Sequence, residues 1–146
     1  MVSRQKTRLS RKPENWRYEW DAEDRLRSVT TPEGQNWRYT YDVLGRRIAK
    51  VRVTDDGRTV LEKILFSWDG AVLCEQIHYS GELSCPVCLT WDYDGLRPIA
   101  QTERIITAET SQEVIDERFF AIVTDLIGTP SELIGEAGEI AARFGE

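Results

Sequence analysis

Trp37, Tyr39 and Tyr41 recur at every second residue, so on a β-strand they share one face while Arg38 and Thr40 take the other. Aromatic residues also favour strands, and the alternation is that of a half-buried strand. Asp42-Val43-Leu44-Gly45 follows as a turn. An aspartate at the first position can accept backbone N–H groups ahead of it, and a glycine at the fourth adopts positive φ without a Cβ clash. Arg46 opens the return strand, where Ala49, Val51 and Val53 alternate with Lys50 and Arg52. One short stretch therefore encodes a β-hairpin of the kind closed by a type I turn and a left-handed glycine.

The stretch is repeated. Trp16, Tyr18, Trp20, Asp21 and Arg25 precede Trp37, Tyr39, Tyr41, Asp42 and Arg46 by twenty-one residues each, with Asp24 in place of Gly45. Phe66-Ser67-Trp68-Asp69-Gly70 keeps the aromatic alternation with a tighter Asp-Gly turn. Leu89-Thr90-Trp91-Asp92-Tyr93-Asp94-Gly95 restores a three-residue step from Asp92 to Gly95, and Asp125-Leu126-Ile127-Gly128 repeats that step among aliphatics. Every Trp of the chain, at 16, 20, 37, 68 and 91, lies in one of these copies, which argues for a repeat architecture over chance. In such architectures no unit buries its apolar face alone.

The Tyr41–Arg46 hairpin resembles the tyrosine-aspartate (YD) repeat of Rhs proteins. A second match lies downstream, where Asp125-Leu126-Ile127-Gly128-Thr129-Pro130-Ser131-Glu132-Leu133 is similar to the Asp-x-x-Gly-x-Pro-x-x-Leu segment near the end of the Rhs core. Glu136-Ala137-Gly138-Glu139-Ile140 resembles the turn and strand that follow it. The resemblance covers roughly residues 14 to 146, the C-terminal part of the repeat core. It implies a hollow β-shell of many hairpins around a C-terminal toxin, as used in competition between bacteria. The family boundary before the toxin and its self-cleavage residues do not follow Arg143-Phe144-Gly145-Glu146, so the expectation is a fragment of a larger locus or a gene remnant.

The length bounds the chain to one domain. Its net charge of −6 conceals an asymmetry: residues 1–53 carry +6 and residues 54–146 carry −12. The basic part raises the question of nucleic acid. Its cations, however, alternate with aromatics along strands, which favours solvated hairpin faces, and no nucleic-acid partner is expected. Residues 1–13 are polar and basic and read as a flexible lead-in, with 14–146 as the β domain. No signal peptide or membrane-spanning run is visible, which points to synthesis in the cytoplasm and to secretion or surface display only as part of a larger system.

Thr31-Pro32-Glu33-Gly34 and Thr54-Asp55-Asp56-Gly57 are plain turn signals between repeats. Pro98 in the long strand from Leu96 argues for a strand start or an edge. Thr110-Ser111-Gln112-Glu113 fits a capping box and predicts one short helix over about 111–117.

One constellation has metal-ligand chemistry: Cys74, His78, Cys85 and Cys88, with Cys85-Pro86-Val87-Cys88 at the spacing of a zinc knuckle. Cys74 and His78 make a poor second pair, and ordinary cysteines in a reducing compartment are the favoured reading. No cofactor is expected. The carboxylates Asp21, Asp42, Asp69, Asp92 and Asp125 would suit glycosidase chemistry if paired, but their regular recurrence favours turn capping. No nucleophile elbow, phosphate loop or dinucleotide fingerprint is present, so an enzyme is not expected. The aromatic rows suit packing into a sheet wall, with sugar stacking at a cell surface as the alternative.

The reading is an all-β chain: an antiparallel meander of YD-repeat hairpins forming a curved open sheet. The residues that define the repeat are Tyr18, Trp20, Asp21, Tyr39, Tyr41, Asp42, Gly45, Arg46, Trp68, Asp69, Trp91, Asp92, Gly95, Asp125, Gly128 and Pro130. Its partners are the remainder of an Rhs shell or a C-terminal toxin, with self-association through unpaired strand edges expected and no membrane partner.

Overall fold

The computed structural model describes residues 2–6, 14–106 and 117–144. These are all β among the described residues. The strands are β1 (Val2–Lys6), β2 (Glu14–Trp20), β3 (Leu26–Thr30), β4 (Asn36–Tyr41), β5 (Arg47–Val53) and β6 (Val60–Asp69). They continue as β7 (Val72–Ser80), β8 (Val87–Asp94), β9 (Arg97–Ile105), β10 (Glu117–Thr124), β11 (Pro130–Gly135) and β12 (Ile140–Arg143). Sheet order follows chain order from β1 to β12, the expected meander. The helix expected near 111–117 lies outside the described residues, except that Glu117 opens β10. Within the segment 1–13, Val2–Lys6 forms β1 and pairs antiparallel with Glu14–Tyr18.

The chain divides into two compact units, residues 1–65 and 66–146, with the boundary inside β6. In the first unit, directly opposed residues share a face. Tyr18, Val29, Trp37, Arg52 and Glu62 therefore form one row across the strands, and Tyr39, Lys50 and Ile64 form the next on the same face. The cations of β5 thus stand beside the aromatics of β4, not behind them. The cause is a bulge. Thr40 pairs with Ala49 and Tyr41 with Arg47, so Ile48 is an extra residue that reverses the parity of β5. The alternation within β4 itself is as expected, with Trp37, Tyr39 and Tyr41 partly buried and Arg38 and Thr40 exposed.

In the second unit a ladder of eight residue pairs joins β8 to β9, from Val87 opposite Ile105 to Asp94 opposite Arg97. Trp91, Gln101, Phe120 and Gly135 make one row, and Asp92, Ala100, Ala121 and Ile134 make a row on the other face. Pro98, the second residue of β9, sits at a bulge opposite Tyr93. It occupies the strand start that its missing N–H favours.

Little of either unit is sealed from solvent. Val29 and Val53 are the buried apolar residues of the first unit, and Cys88, Ala100 and Leu133 those of the second. A thick core is absent among the described residues. Ladders, turns and cross-strand pairs accordingly carry a large share of the stability.

Candidate functional site

The repeat turn is built from a few bonds that recur. In the Asp42 turn the Asp42 N–H donates to the Arg46 carbonyl at 2.9 Å, and the Gly45 N–H donates to the Asp42 carbonyl at 3.0 Å. Asp42 Oδ1 accepts the Leu44 and Arg46 N–H groups, both at 2.9 Å, while Oδ2 accepts Arg46 Nε at 2.7 Å. Gly45 closes the turn at φ 78°. The Asp21 turn reproduces the set, with Oδ1 accepting from Glu23 and Arg25 and Oδ2 from Arg25 Nε at 2.8 Å. There Asp24 stands at φ 57°, the positive-φ non-glycine of the described residues. Asp125 caps Ile127 and Thr129 in the same way, but a threonine holds the arginine position and the ion pair is lost.

These bonds set the charge state of the carboxylates. For Asp21, the Arg25 N–H leads the stabilisation of the anion against the cost of desolvation, with the Arg25 side chain and the Glu23 N–H adding to it, and the pKa falls below the ordinary value. For Asp42, desolvation is the largest influence and acts upward; the Arg46 side chain and the Arg46 and Leu44 N–H groups together outweigh it, and the pKa again falls.

The same backbone turn recurs at the other ends of the strands, at the Thr31–Gly34 and Thr54–Gly57 turn signals. Gly34 donates to Thr31 and Gly57 to Thr54, at 2.9 and 2.8 Å, and both glycines have positive φ. The Thr31 hydroxyl accepts the Gln35 N–H at 3.2 Å, doing with a hydroxyl what Asp42 does with a carboxylate.

The tyrosine of the Tyr-Asp pair has its own task. Tyr41 Oη donates to the Leu26 carbonyl at 2.9 Å, and Tyr93 Oη donates to the Leu73 carbonyl at 2.8 Å. In both places the tyrosine reaches from one repeat hairpin to the strand before it. The β3–β4 ladder ends at Ser28 opposite Arg38, and the β7–β8 ladder ends at Glu75 opposite Thr90. Each acceptor lies two residues beyond the last pair and each donor three beyond. The hydroxyl thus bridges neighbouring hairpins where their backbone ladder has stopped. Burial raises the Tyr93 pKa, with Cys74 adding to the effect, so the hydroxyl keeps its proton as a donor must.

This relation corrects the alignment of the fourth repeat. Asp92 is a strand residue opposite Ala100, not a turn cap. The turn is the two-residue Gly95-Leu96, and the Tyr-Asp pair is Tyr93-Asp94, with Asp94 bonded to Arg97 at 3.2 Å. Gly95 has φ 64°, as the first position of so short a loop requires. Asp69 ends β6 before the equally short Gly70-Ala71 turn. Trp91 lies in β8 and donates its indole N–H to Gln101 Oε1 at 3.0 Å. Pro130 opens β11 opposite Thr124.

The aromatic row of β4 is already occupied. Lys50 Nζ lies 4.0 Å from the Trp37 ring centroid, and the Arg47 guanidinium lies 4.4 Å from that of Tyr39 and 5.8 Å from that of Tyr41. The Arg25 guanidinium stands 5.6 Å from the Tyr41 ring. Such contacts are favourable by about 0.5–2 kcal/mol each, according to exposure. Desolvation leads in lowering the Lys50 pKa, Arg47 lowers it further, and Glu62 opposes both.

The candidate metal ligands are not brought together. Cys74 and His78 are both even-numbered residues of β7 and share a face, whereas Cys88 pairs with Ile77 and lies on the opposite one. Among the described residues no cluster of His, Cys, Asp and Glu has the arrangement of a metal site. Cys88 is buried and donates to Glu75 Oε2 at 3.6 Å. Burial and then Glu75 push its thiol pKa up, with Arg104 opposing.

Recurring β-hairpins, with aspartate caps at Asp21, Asp42 and Asp125 and tyrosine bridges to the preceding strand from Tyr41 and Tyr93, define a β-repeat protein. Residues 20–60 match the family model described as RHS Repeat. Double-stranded DNA deaminase toxin A of Burkholderia cenocepacia (strain H111) is 32% identical over 136 residues, covering 86% of this chain and 9% of that protein. Probable deoxyribonuclease RhsA of Dickeya dadantii (strain 3937) is 37% identical over 102 residues, covering 69% of this chain and 7% of the relative. The crystal structure of TcdB2-TccC3 superposes with a TM-score of 0.54 at 16% identity over 86% of this chain and 6% of that one, a likeness of fold. The chain belongs to the Rhs/YD-repeat family. It spans less than a tenth of the length of either relative.

Proposed function

We infer that this chain is a structural segment of an Rhs-type β-shell that encloses a C-terminal toxin delivered between competing cells. The observation that supports this reading best is the tyrosine bridge between hairpins, which joins repeat to repeat and serves no reacting centre. The names of the relatives specify DNA-directed activities of those much longer proteins. In this proposal those activities belong to regions outside the matched segment, and this chain contributes containment. Its partners are then the rest of the shell and the toxin. No helix among the described residues is long and apolar enough to cross a membrane. The chain is made in the cytoplasm and leaves it only within the larger assembly.

A graft tests the reading. Residues 14–144 replace the matched segment of the Burkholderia relative, and the purified product is treated with protease. A C-terminal domain that stays protected, as in the parent, supports containment. Loss of protection in a graft that still folds overturns it. DNA cleavage or deamination by the isolated 146-residue chain would overturn the non-enzymatic assignment.

A further inference from the structure

Within the first unit, Glu19, Ser28 and Arg38 form one row, and Thr30, Asn36 and Val53 another, on the face that the aromatics of β4 do not use. This face holds a polar depression of about 620 Å³, whose lining includes Arg27, Arg38, Glu19 and Asp55. A bulge brings the two arginines together. Glu19 pairs with Ser28 and Trp20 with Leu26, so Arg27 is an extra residue of β3, and a bulge re-aims a side chain. Ser28, next to Arg27, pairs with Arg38 on β4, and neighbouring strands lie only about 4.8 Å apart. The Arg38 guanidinium lies by the Gly57 turn, in the space that a Cβ there would fill. Neither arginine side chain has a hydrogen-bond or ion-pair partner among the described residues. Arg25, Arg46, Arg52, Arg97 and Arg143, by contrast, each meet a carboxylate within 3.2 Å. The two carboxylates of the lining meet neutral donors: Glu19 accepts from the Ser28 hydroxyl at 2.8 Å, and Asp55 from the Asn36 amide at 3.2 Å. Each carboxylate has further lone pairs to offer.

A guanidinium presents a planar fork of donors that suits phosphate. A phosphate monoester carries about −1.5 to −2 charge near neutral pH, close to one charge for each arginine. Carboxylates in the same lining accept hydroxyl donors and repel the further charges of a polyanion such as nucleic acid. We propose that this depression binds a phosphate ester of a small hydroxylated molecule. Arg27 and Arg38 hold the phosphate together, and Glu19 and Asp55 accept the hydroxyls. The volume lies within the range of small-molecule sites, about 300–1,000 Å³. Both arginines are exposed, so water competes and the affinity is modest. The site needs only the first unit and stands whether or not the chain contributes to a shell.

The test is a titration of the full chain with glycerol 3-phosphate and, separately, with inorganic phosphate. Each runs from about 0.1 to about 30 mM, a range that brackets millimolar affinity. Ionic strength is held constant with sodium chloride, so that screening does not vary. The arginine Nε–Hε signals are followed by nuclear magnetic resonance. Arg27 and Arg38 are expected to shift on one saturating curve with a common midpoint. Arg17, exposed on the same face but outside the depression, is expected to stay still. Glycerol 3-phosphate is expected to bind at least as tightly as inorganic phosphate, because only the ester brings hydroxyls to the carboxylates. Arg27→Gln and Arg38→Gln should each weaken binding about tenfold, the loss expected for a charged hydrogen bond, and Arg17→Gln should not. The direct titration needs no variant, so a misfolded one leaves the test intact. Shifts that never saturate, that Arg17 shares, or that have different midpoints for Arg27 and Arg38 overturn the proposal. Binding of inorganic phosphate without the ester also overturns it, by removing the hydroxylated ligand.

Discussion

Replacing Tyr93 by Phe isolates the inter-hairpin bridge. The ring stays, so neither packing nor volume changes; only the hydroxyl that donates to the Leu73 carbonyl at 2.8 Å is lost. A net intramolecular hydrogen bond is worth about 0.5–1.5 kcal/mol. The site is part-buried, so water can take over some of the freed carbonyl's bonding, and about 1 kcal/mol is expected. Tyr41→Phe removes the equivalent bond to Leu26 and should cost the same. For units of this size about 1 kcal/mol corresponds to roughly 4–8 °C in melting temperature. The two bridges share no partner, so the double variant should lose about 2 kcal/mol. Tyr39→Phe is the control, because Tyr39 lies in the same row but its hydroxyl makes no such bridge among the described residues. Urea titrations followed by Trp fluorescence measure the differences. Amide exchange should accelerate first at Leu26, Leu73 and their neighbours by the turns. If Tyr41→Phe and Tyr93→Phe prove no more costly than Tyr39→Phe, the bridge is not a stabilising element and the account of the Tyr-Asp pair fails.

Gly45→Ala should destabilise by about 1 kcal/mol, because a Cβ at φ 78° meets no atom within 4 Å and the whole cost is the left-handed backbone. Gly57→Ala should cost about as much, about 1 kcal/mol, in the same denaturation assay, since its Cβ would meet only the far end of the exposed Arg38 side chain, which can move aside, and the left-handed backbone again sets the cost. The lowered pKa values of Asp21 and Asp42 give stability that is fully present above the unfolded value, about 4, and is lost as pH falls through the lower folded values. Melting temperature should therefore drop below about pH 4, and Asp42→Asn should flatten that dependence. Cys88 should react with a disulfide reagent more slowly than Cys85 at neutral pH, since its thiol is buried and its pKa is raised; equal rates would refute the burial of Cys88.

Strands and aspartate turns were legible because their signals are local. A two-residue alternation sets a face, and an Asp followed at three residues by Gly sets a turn, so the Asp21, Asp42 and Asp125 hairpins were readable from residue types alone. The fourth repeat was misaligned because Asp92 and Gly95 show the right step by coincidence while the loop is only Gly95-Leu96. The better signal was the tyrosine immediately before Asp94, as Tyr41 stands immediately before Asp42. Register was less legible than element type. One extra residue at Ile48 turns Lys50 and Arg52 onto the aromatic face, and nothing in the composition of β5 distinguishes the two parities. The same arithmetic separates Cys88 from Cys74 and His78, although the Cys-x-x-Cys spacing is that of a ligand pair.

Bulge and bridge are connected. The Asp-x-x-Gly loop puts its extra residue on the returning strand, and a bulge increases local twist. Strands from neighbouring hairpins stop pairing close to these turns, as β3 and β4 do beyond Ser28 and Arg38. A turn that closes its own hairpin firmly thus coincides with a gap beside the next one. The residue just before the aspartate stands at that gap, and a tyrosine there is long enough to reach the neighbouring carbonyl and apolar enough to lie against the sheet. Tyrosine and aspartate are adjacent in the repeat because they act at one place in two directions: the aspartate within its hairpin, the tyrosine toward the one before. Where so few side chains are buried, a side-chain bond of that kind couples neighbouring hairpins at the point where their ladder has stopped.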